Sequence, residues 1–97
     1  MSITWKVKNF RWHNIYGDPE KNIKYNLDTA LHQFIGFRLN DKTLRLLEYT
    51  IREILSPISR NVSVDIQPDI ENRGILISCN IELEGQLNYY NVSFGID

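Results

Sequence analysis

Side chains that could bind a metal or transfer a proton are few in this sequence, and they are widely spaced. His13 and His32 are far apart, and neither has a cysteine or a carboxylate at metal-ligand spacing. His32 does follow Asp28 at helical spacing, but a surface histidine is the simpler interpretation. We therefore predict no metal site, no cofactor and no catalytic residue.

The one cysteine and the nearby acidic residues form no recognisable catalytic group. Cys79 lies on the apolar side of an alternating run, where a small core residue is more common than a nucleophile. A lone cysteine forms no disulfide within the chain, which fits a reducing compartment. Asp65, Asp69 and Glu71 cluster beside the end of a predicted strand, where carboxylates are usually solvated. The chain also lacks a glycine-rich phosphate loop, so we predict that it is not an enzyme.

Basic and aromatic residues are interleaved near the N-terminus, a composition that can bind nucleic acid. They are Trp5, Lys6, Lys8, Phe10, Arg11, Trp12, Lys21, Lys24 and Tyr25. Basic groups attract phosphates, and aromatic rings stack on bases. However, the sequence pI of about 6.1 and the acidic last third argue against a nucleic-acid partner. We interpret the aromatic side chains as core residues and the lysines as solvated.

Length and composition are those of one globular domain. Ninety-seven residues are enough for one hydrophobic core, and 42% hydrophobic with 24% charged residues does not describe a disordered chain. No apolar run approaches the roughly 20 residues of a membrane span, and the first residues lack the apolar core of a signal peptide. We expect a cytosolic protein with no membrane partner and no small-molecule substrate.

Charge is unevenly distributed along the chain. Residues 1–60 contain ten Lys or Arg against six Asp or Glu, whereas residues 61–97 contain one Arg against six acidic residues. Such an asymmetry can orient a domain between neighbours of opposite charge. In a chain this short it can equally arise by chance.

The clearest predicted element is a long amphipathic helix at about 41–56. Its apolar residues at helical spacing are Leu44, Leu47, Ile51, Ile54, Leu55 and Ile58. Asn40 or Asp41 can cap its first turn, and Glu48 precedes Arg52 by one turn, the favourable order for an ion pair. Pro57 is expected to end the helix.

After residue 60 the apolar period changes from 3.6 to 2, which predicts strands. The predicted strands and turns are 61–67, 72–74, 75–83, 84–85 and 86–94. Three strands joined by short turns form an antiparallel meander, and the long helix is expected to cover its apolar face. In the last strand Tyr90, Val92 and Phe94 share one face.

The first 39 residues have aromatic bulk without a clean period. We predict a turn at 17–19 and a short helix at 30–35. The whole prediction is an α+β fold with a short N-terminal helical or extended segment, followed by the long helix packed on the three-stranded meander. It forms a single domain of residues 1–97, divided into an N-terminal arm (1–19) and a core (20–97).

Seven short motifs follow one another in an order that is typical of a known family. They are Pro-Glu-Lys at 19–21, Lys-Tyr-Asn-Leu-Asp at 24–28, Leu-His-Gln-Phe-Ile-Gly-Phe-Arg-Leu at 31–39, Asn-Asp-Lys-Thr-Leu at 40–44, Ile-Arg-Glu-Ile at 51–54, Val-Ser-Val-Asp-Ile at 62–66 and Gly-Ile-Leu-Ile at 74–77. Over roughly residues 17–94 the chain resembles the small baseplate wedge subunits of contractile phage tails. Sheath-initiating subunits of type VI secretion and extracellular contractile injection systems are relatives of that family.

The resemblance implies a structural protein of a virion tail baseplate, assembled in the host cytoplasm, whose partners are other wedge proteins and sheath subunits. The family carries a Glu-Pro-Arg motif after its long helix that contacts neighbouring wedge proteins. Here Pro57 and Arg60 stand in that region, but the glutamate is missing. Asp28 likewise replaces a glycine of the family pattern.

The resemblance also implies an open sheet edge to which arms of the first sheath ring add strands. We assign this edge to the last predicted strand, because the end of a meander has an unpaired side. The sheath-facing residues would be Leu87, Tyr89, Tyr90, Val92 and Phe94. In the opposing interpretation the N-terminal segment covers this edge.

Two other functions stay open from the sequence. One is a cytosolic regulatory binding protein that resembles a stress-response anti-adaptor, a stray relative of the same family. The other is a small nucleic-acid-binding domain that uses the basic aromatic N-terminus.

Overall fold

The computed structural model describes residues 6–16, 22–69 and 74–96. Its elements, in chain order, are β1 (Val7–Tyr16), α1 (Asn22–His32), α2 (Asp41–Leu55), β2 (Val62–Asp69), β3 (Gly74–Leu83) and β4 (Gln86–Ile96). The four strands pair antiparallel in one sheet, in the order β1-β4-β3-β2. Residues of both helices pack in one hydrophobic core with one face of this sheet. The other face, called the open face below, is not covered by either helix.

The predicted architecture of one long helix on a three-stranded meander is wrong. Within the segment taken as an N-terminal arm, Val7–Tyr16 form β1, which pairs with β4 along its length and makes β4 an inner strand. A second helix, α1, begins at Asn22 and ends at His32, so the predicted short helix at 30–35 is also misplaced. The remaining elements lie close to their predicted bounds, with α2 ending at Leu55.

Period-2 alternation places one side of each inner strand in the core. The buried strand residues are Ile75, Ile77, Cys79 and Ile81 of β3 and Asn88, Tyr90, Val92 and Phe94 of β4. The helices fill this face with the buried residues Ile23, Leu27, Leu31, Thr43, Leu47, Ile51 and Leu55. Burying the ten Ile, Leu and Val side chains among these residues is the main driving force for the fold, at about 1.5–3 kcal/mol each.

Two irregularities in β1 explain why its pattern was not recognised. The residues of β1 that pair with core positions of β4 are Phe10, Trp12 and Ile15, and Val7 is buried before them. The register shifts between Val7 and Asn9 and again between Trp12 and Asn14. A bulge inserts one residue into a strand, so core-facing residues come three apart instead of two.

The polar signals at the ends of α2 are confirmed. Asn40 is the N-cap, and its side-chain oxygen accepts a hydrogen bond from the Thr43 backbone N–H at 2.9 Å. Glu48 and Arg52 form the predicted ion pair, with Nη2 and Oε1 separated by 3.3 Å. This exposed pair adds only a few tenths of a kcal/mol, so burial of the apolar side fixes the helix.

Two turns of the described chain use residues with positive φ. Glu84 and Gly85 have φ angles of 51° and 79°, as expected for the tight turn of the β3–β4 hairpin. Gly36, with φ of 92°, ends the turn after α1 and donates its N–H to the Val7 carbonyl at 2.7 Å. The turn predicted at 17–19, and all of the 72–74 turn except Gly74, lie outside the described residues. Within the described ranges, no helix is long and apolar enough to cross a membrane.

Candidate interaction surfaces

The loop between α2 and β2 is fixed to the end of β3 by a buried serine. Ser59 is only 7% exposed; its hydroxyl donates to the Glu82 carbonyl at 2.5 Å and accepts from the Asn61 N–H at 3.2 Å. Glu82 returns a backbone hydrogen bond to the Asn61 carbonyl at 3.3 Å. At the helix side, the Ser59 N–H donates to the Leu55 carbonyl at 3.0 Å. The loop is therefore held from both sides.

This fixed loop presents the two residues that the sequence assigned to a wedge interface. Pro57 and Arg60 are both exposed, and Ile58 between them is 39% exposed. The loop also forms one wall of a cleft of about 850 Å³, whose other walls include Asn26 of α1 and Glu84 of the hairpin turn. The structure thus places Ile58 and Arg60 together on the wall of this cleft, whereas Pro57 lines a separate depression beside Tyr49 and Glu53 of α2.

The residues assigned to a sheath-facing edge do not lie at an edge. β4 is hydrogen-bonded to β1 on one side and to β3 on the other. Tyr90, Val92 and Phe94 share one face as predicted, but this face is the core, where each is at most 1% exposed. Leu87 and Tyr89 point to the open face. The N-terminal segment covers the edge that the sequence left free.

The outer strands of the sheet are β1 and β2, and they differ in regularity. β1 has two bulges, and its start is bridged by Arg38, which pairs with Lys6. β2 pairs with β3 without any register shift. Bulges twist an edge away from partners, so β1 is the less suitable strand for addition of another strand.

The position of Pro68 shows which backbone groups of β2 face outward. A proline has no N–H to donate to a sheet, so its nitrogen must lie on the outer side of the strand. Pro68 is paired with Ile75 in a regular register, and the strand period of two then turns the backbone groups of Val62, Val64 and Ile66 outward. Arg52 Nη1 lies 3.4 Å from the Val62 carbonyl, which is consistent with this orientation.

The aromatic residues of β1 that pair with the core side of β4 pack against α1 and are not stacking platforms. Trp12 donates its indole N–H to Asp28 Oδ1 at 2.9 Å, and the Lys24 ammonium lies 5.9 Å from the Trp12 ring centroid. Phe10 meets the edge of the His32 ring at 4.5 Å between centroids. The interpretation of Phe10 and Trp12 as packing residues is confirmed, but it is wrong for Tyr25, which is exposed on α1. Trp5 and Lys21 lie outside the described residues.

Two tyrosines on the open face were not recognised as neighbours from the sequence. Tyr16 at the end of β1 pairs with Tyr89 of β4, and their rings stack with centroids 5.4 Å apart and planes 13° apart. Further along the same two strands, Arg11 pairs with Ser93, whose hydroxyl is hydrogen-bonded to His13 Nε2 at 2.7 Å. These pairs could not be predicted without the strand β1, and its bulges hide the alternation of apolar and polar residues that would identify it.

The groups with catalytic potential are dispersed or buried. Cys79 is confirmed as a core residue, and desolvation raises the pKa of its thiol to about 12. Asp65 accepts a hydrogen bond from the Gln67 amide at 2.8 Å; the side chain of Asp69 and the whole of Glu71 lie outside the described residues. Among the residues that the structure describes, no three His, Cys, Asp or Glu side chains are grouped to hold a metal ion.

Family models, curated proteins and solved structures were each compared with this chain, and none matches it.

Proposed function

We propose that this domain is a structural subunit that docks into a larger protein assembly, and that the assembly is the baseplate of a contractile tail or injection system. The motif resemblance over residues 17–94 supplies the kind of assembly. The observation that carries the docking proposal is the loop after α2, which is fixed by hydrogen bonds yet holds Pro57 and Arg60 at the surface. A surface that is already ordered loses little conformational entropy on binding.

The chemistry of this loop suits a protein partner with an exposed carboxylate. The Arg60 guanidinium can make a bidentate, charge-assisted hydrogen bond, which is geometrically specific as well as strong. Pro57 and Ile58 offer rigid and apolar contact area next to it. A partner that supplies an acidic and apolar patch would cover all three side chains.

We propose in addition that a segment of a sheath subunit adds to the sheet as a further strand, and that it does so beside β2. The inner position of β4 removes it from that role, and the bulges of β1 make that edge irregular. β2 remains as a regular strand with outward backbone groups at Val64 and Ile66. An extended segment of a sheath subunit would pair with these groups and continue the sheet.

The test of docking is recovery of the chain in a particle. An affinity-tagged chain is expressed in cells that contain its gene, purified, and imaged by electron microscopy, with mass spectrometry of the subunits that copurify. We expect contractile particles or baseplates that contain the wild-type chain. Arg60→Glu should lower its incorporation at least fivefold, because reversing the charge places like charges at the contact.

Arg45→Glu is the matched control, since Arg45 is an exposed arginine of α2 away from the loop. Circular dichroism of both variants verifies that the fold is unchanged. Equal incorporation of the Arg60 and Arg45 variants would remove the loop from the interface. A wild-type chain that is always recovered alone would contradict the assembly function, whereas recovery with a proteolytic adaptor would favour the regulatory alternative.

A further inference from the structure

The half of the open face formed by β1 and β4 carries no acidic side chain. Neither Val7–Tyr16 nor Gln86–Ile96 contains an Asp or Glu, whereas β1 contains Lys8 and Arg11 and is preceded by Lys6. The carboxylates of the open face lie on the other two strands, where Asp65 pairs with Ser78 and Glu82 pairs with Leu87. The face is therefore divided into a basic and neutral half and an acidic half.

The basic half contains a depression that is lined by polar side chains together with Phe10 and Phe94. It has a volume of about 400 Å³, and its lining includes Asn9, Arg11, His13 and Ser93. Gly95 contributes no side chain to it, and the amide oxygen of Asn9 lies over that glycine. A guanidinium, an amide, an imidazole and a hydroxyl that converge on one concavity are the groups that proteins use to bind phosphate oxygens.

An aromatic platform lies further along the same two strands. Tyr16 and Tyr89 stack on one another, and Tyr16 remains 61% exposed. A stacked pair with an uncovered outer side can accept a planar base, and such stacking tolerates any base sequence. Asn14 pairs with Asn91 between the platform and the depression, so two amides face the intervening space.

The distance between depression and platform fits an extended strand. Ser93 and Tyr89 are separated by four positions of β4, which corresponds to roughly 13 Å at about 3.3 Å per residue. A short oligonucleotide spans this distance with its phosphates at one end and an unstacked base at the other. A duplex does not fit, because its bases are already stacked and paired.

We propose that single-stranded nucleic acid binds along β1 and β4 on the open face, with its phosphates in the depression beside Arg11 and a base stacked on Tyr16. Between these two points, the side-chain amides of Asn14 and Asn91 form hydrogen bonds with base edges or sugars. The carboxylates of Asp65 and Glu82 on the acidic half repel the phosphates, so the nucleic acid stays on β1 and β4. This binding does not involve the loop after α2 that carries Arg60. Nucleic-acid binding and docking into a baseplate can therefore each occur without the other.

The test uses the purified full chain and a fluorescein-labelled oligothymidylate of about 15 nucleotides, within the usual size of such sites. Fluorescence anisotropy at low salt should show saturable binding. The affinity should fall with salt, by about 0.7 in log–log slope for each phosphate contact. An unlabelled duplex of equal length should compete poorly.

Two variants with matched controls locate the site. Tyr16→Ala should weaken binding about tenfold, within the range for loss of one base–aromatic stack. Tyr25→Ala should leave it unchanged, because Tyr25 is a 70% exposed tyrosine of α1, in the helical layer. Arg11→Glu should weaken binding and reduce the salt slope by about 0.7, whereas Arg45→Glu, with the same change in net charge, should not.

Three results would overturn the proposal. They are absence of saturable binding at low salt, equal losses in the test and control variants, and equal competition by the duplex, which would indicate binding by charge alone. Capture of a protein through Tyr16 without binding of the oligonucleotide is one form of the first result. Thermal unfolding of each variant verifies that the measured chain is folded.

Discussion

Cys79 is the side chain with the greatest nucleophilic potential in the sequence, and its environment removes that potential. It lies on β3 between Val64 of β2 and Tyr90 of β4, on the core side of the sheet. Burial disfavours the thiolate and raises the pKa of the thiol to about 12. Since the thiolate is the reactive form, folding protects this residue from oxidation and alkylation.

We expect the native chain to react very slowly with an aromatic disulfide reagent at pH 8. The reaction should accelerate with urea, because only opened molecules expose the thiol. The control is a Cys79→Ala chain that carries Ser78→Cys, since position 78 faces the open side of the same strand. Equal labelling rates for the native and control chains would contradict the buried position.

The same pKa shift predicts how stability changes at alkaline pH. The folded pKa lies above the value of about 8.5 for an exposed thiol, so the folded state holds the proton more tightly. This contribution to stability is complete below about pH 8.5 and is lost progressively as the pH rises toward 12. Hydrogen bonding to Glu53 shifts the pKa of Tyr49 in the same direction.

At the scale of elements, the sequence predicts those whose apolar period is unbroken. The positions from Leu44 to Leu55 keep helical spacing, and β3 alternates without interruption, so both were located from the pattern. β1 was not located, because its two bulges interrupt the period-2 alternation within the strand. Because this strand was missed, one edge of the sheet was assigned to β4 instead of β1, while β2 is the other edge as predicted.

The early part of the chain shows a second reason for failure. In α1 the buried residues Ile23, Leu27 and Leu31 are four apart, but most of the positions between them hold polar or charged residues. Lys24 and Asp28 help to fix this helix through Trp12, a contact between residues distant in sequence. Local pattern alone contains no information about such a partner. The end of α2 lies within one residue of its predicted position, but Ser59, which anchors the loop after it, has no sequence signal.

The outward backbone of β2 leads to a prediction at the same scale. Val64→Pro removes an N–H that faces solvent, so the four-stranded sheet should keep its hydrogen bonds and its fold. If a sheath segment adds to β2, this variant should be incorporated into baseplates but should stop sheath growth. Electron microscopy of particles assembled with the variant measures both outcomes.

Ser63→Pro provides the comparison, because the neighbouring N–H faces β3. That substitution removes a hydrogen bond of the sheet and should lower the thermal unfolding midpoint by several degrees. Normal sheaths on the Val64→Pro variant would exclude strand addition at β2. A Val64→Pro chain that is as unstable as Ser63→Pro would contradict the outward orientation derived from Pro68.

At the scale of the whole molecule, the charge asymmetry along the chain becomes an asymmetry across the sheet. β1, with Lys8 and Arg11, forms one edge, and β2, with Asp65, forms the opposite edge. The two proposed partners then approach from different sides, nucleic acid along β1 and β4 and a sheath segment along β2. Such a charge distribution favours one orientation of the domain between neighbours.

The contribution of β1 to the whole fold can be measured by removing it. A chain that starts at residue 20 would leave β4 without one neighbour and uncover Tyr90, Val92 and Phe94. Loss of a large buried aromatic residue alone costs about 3–5 kcal/mol, and domains of this size have only about 5–15 kcal/mol in total. We therefore expect this truncated chain to lack cooperative urea unfolding and to aggregate.

Addition of a separate peptide of residues 1–16 should restore the near-ultraviolet circular dichroism of the full chain, because β1 is held by pairing and packing with the rest of the sheet. If instead the truncated chain unfolds at the same urea concentration as the full chain, residues 1–19 are an arm, and β1 is not an integral strand. Recovery on adding the peptide but not on adding a scrambled one would show that the fourth strand completes this core.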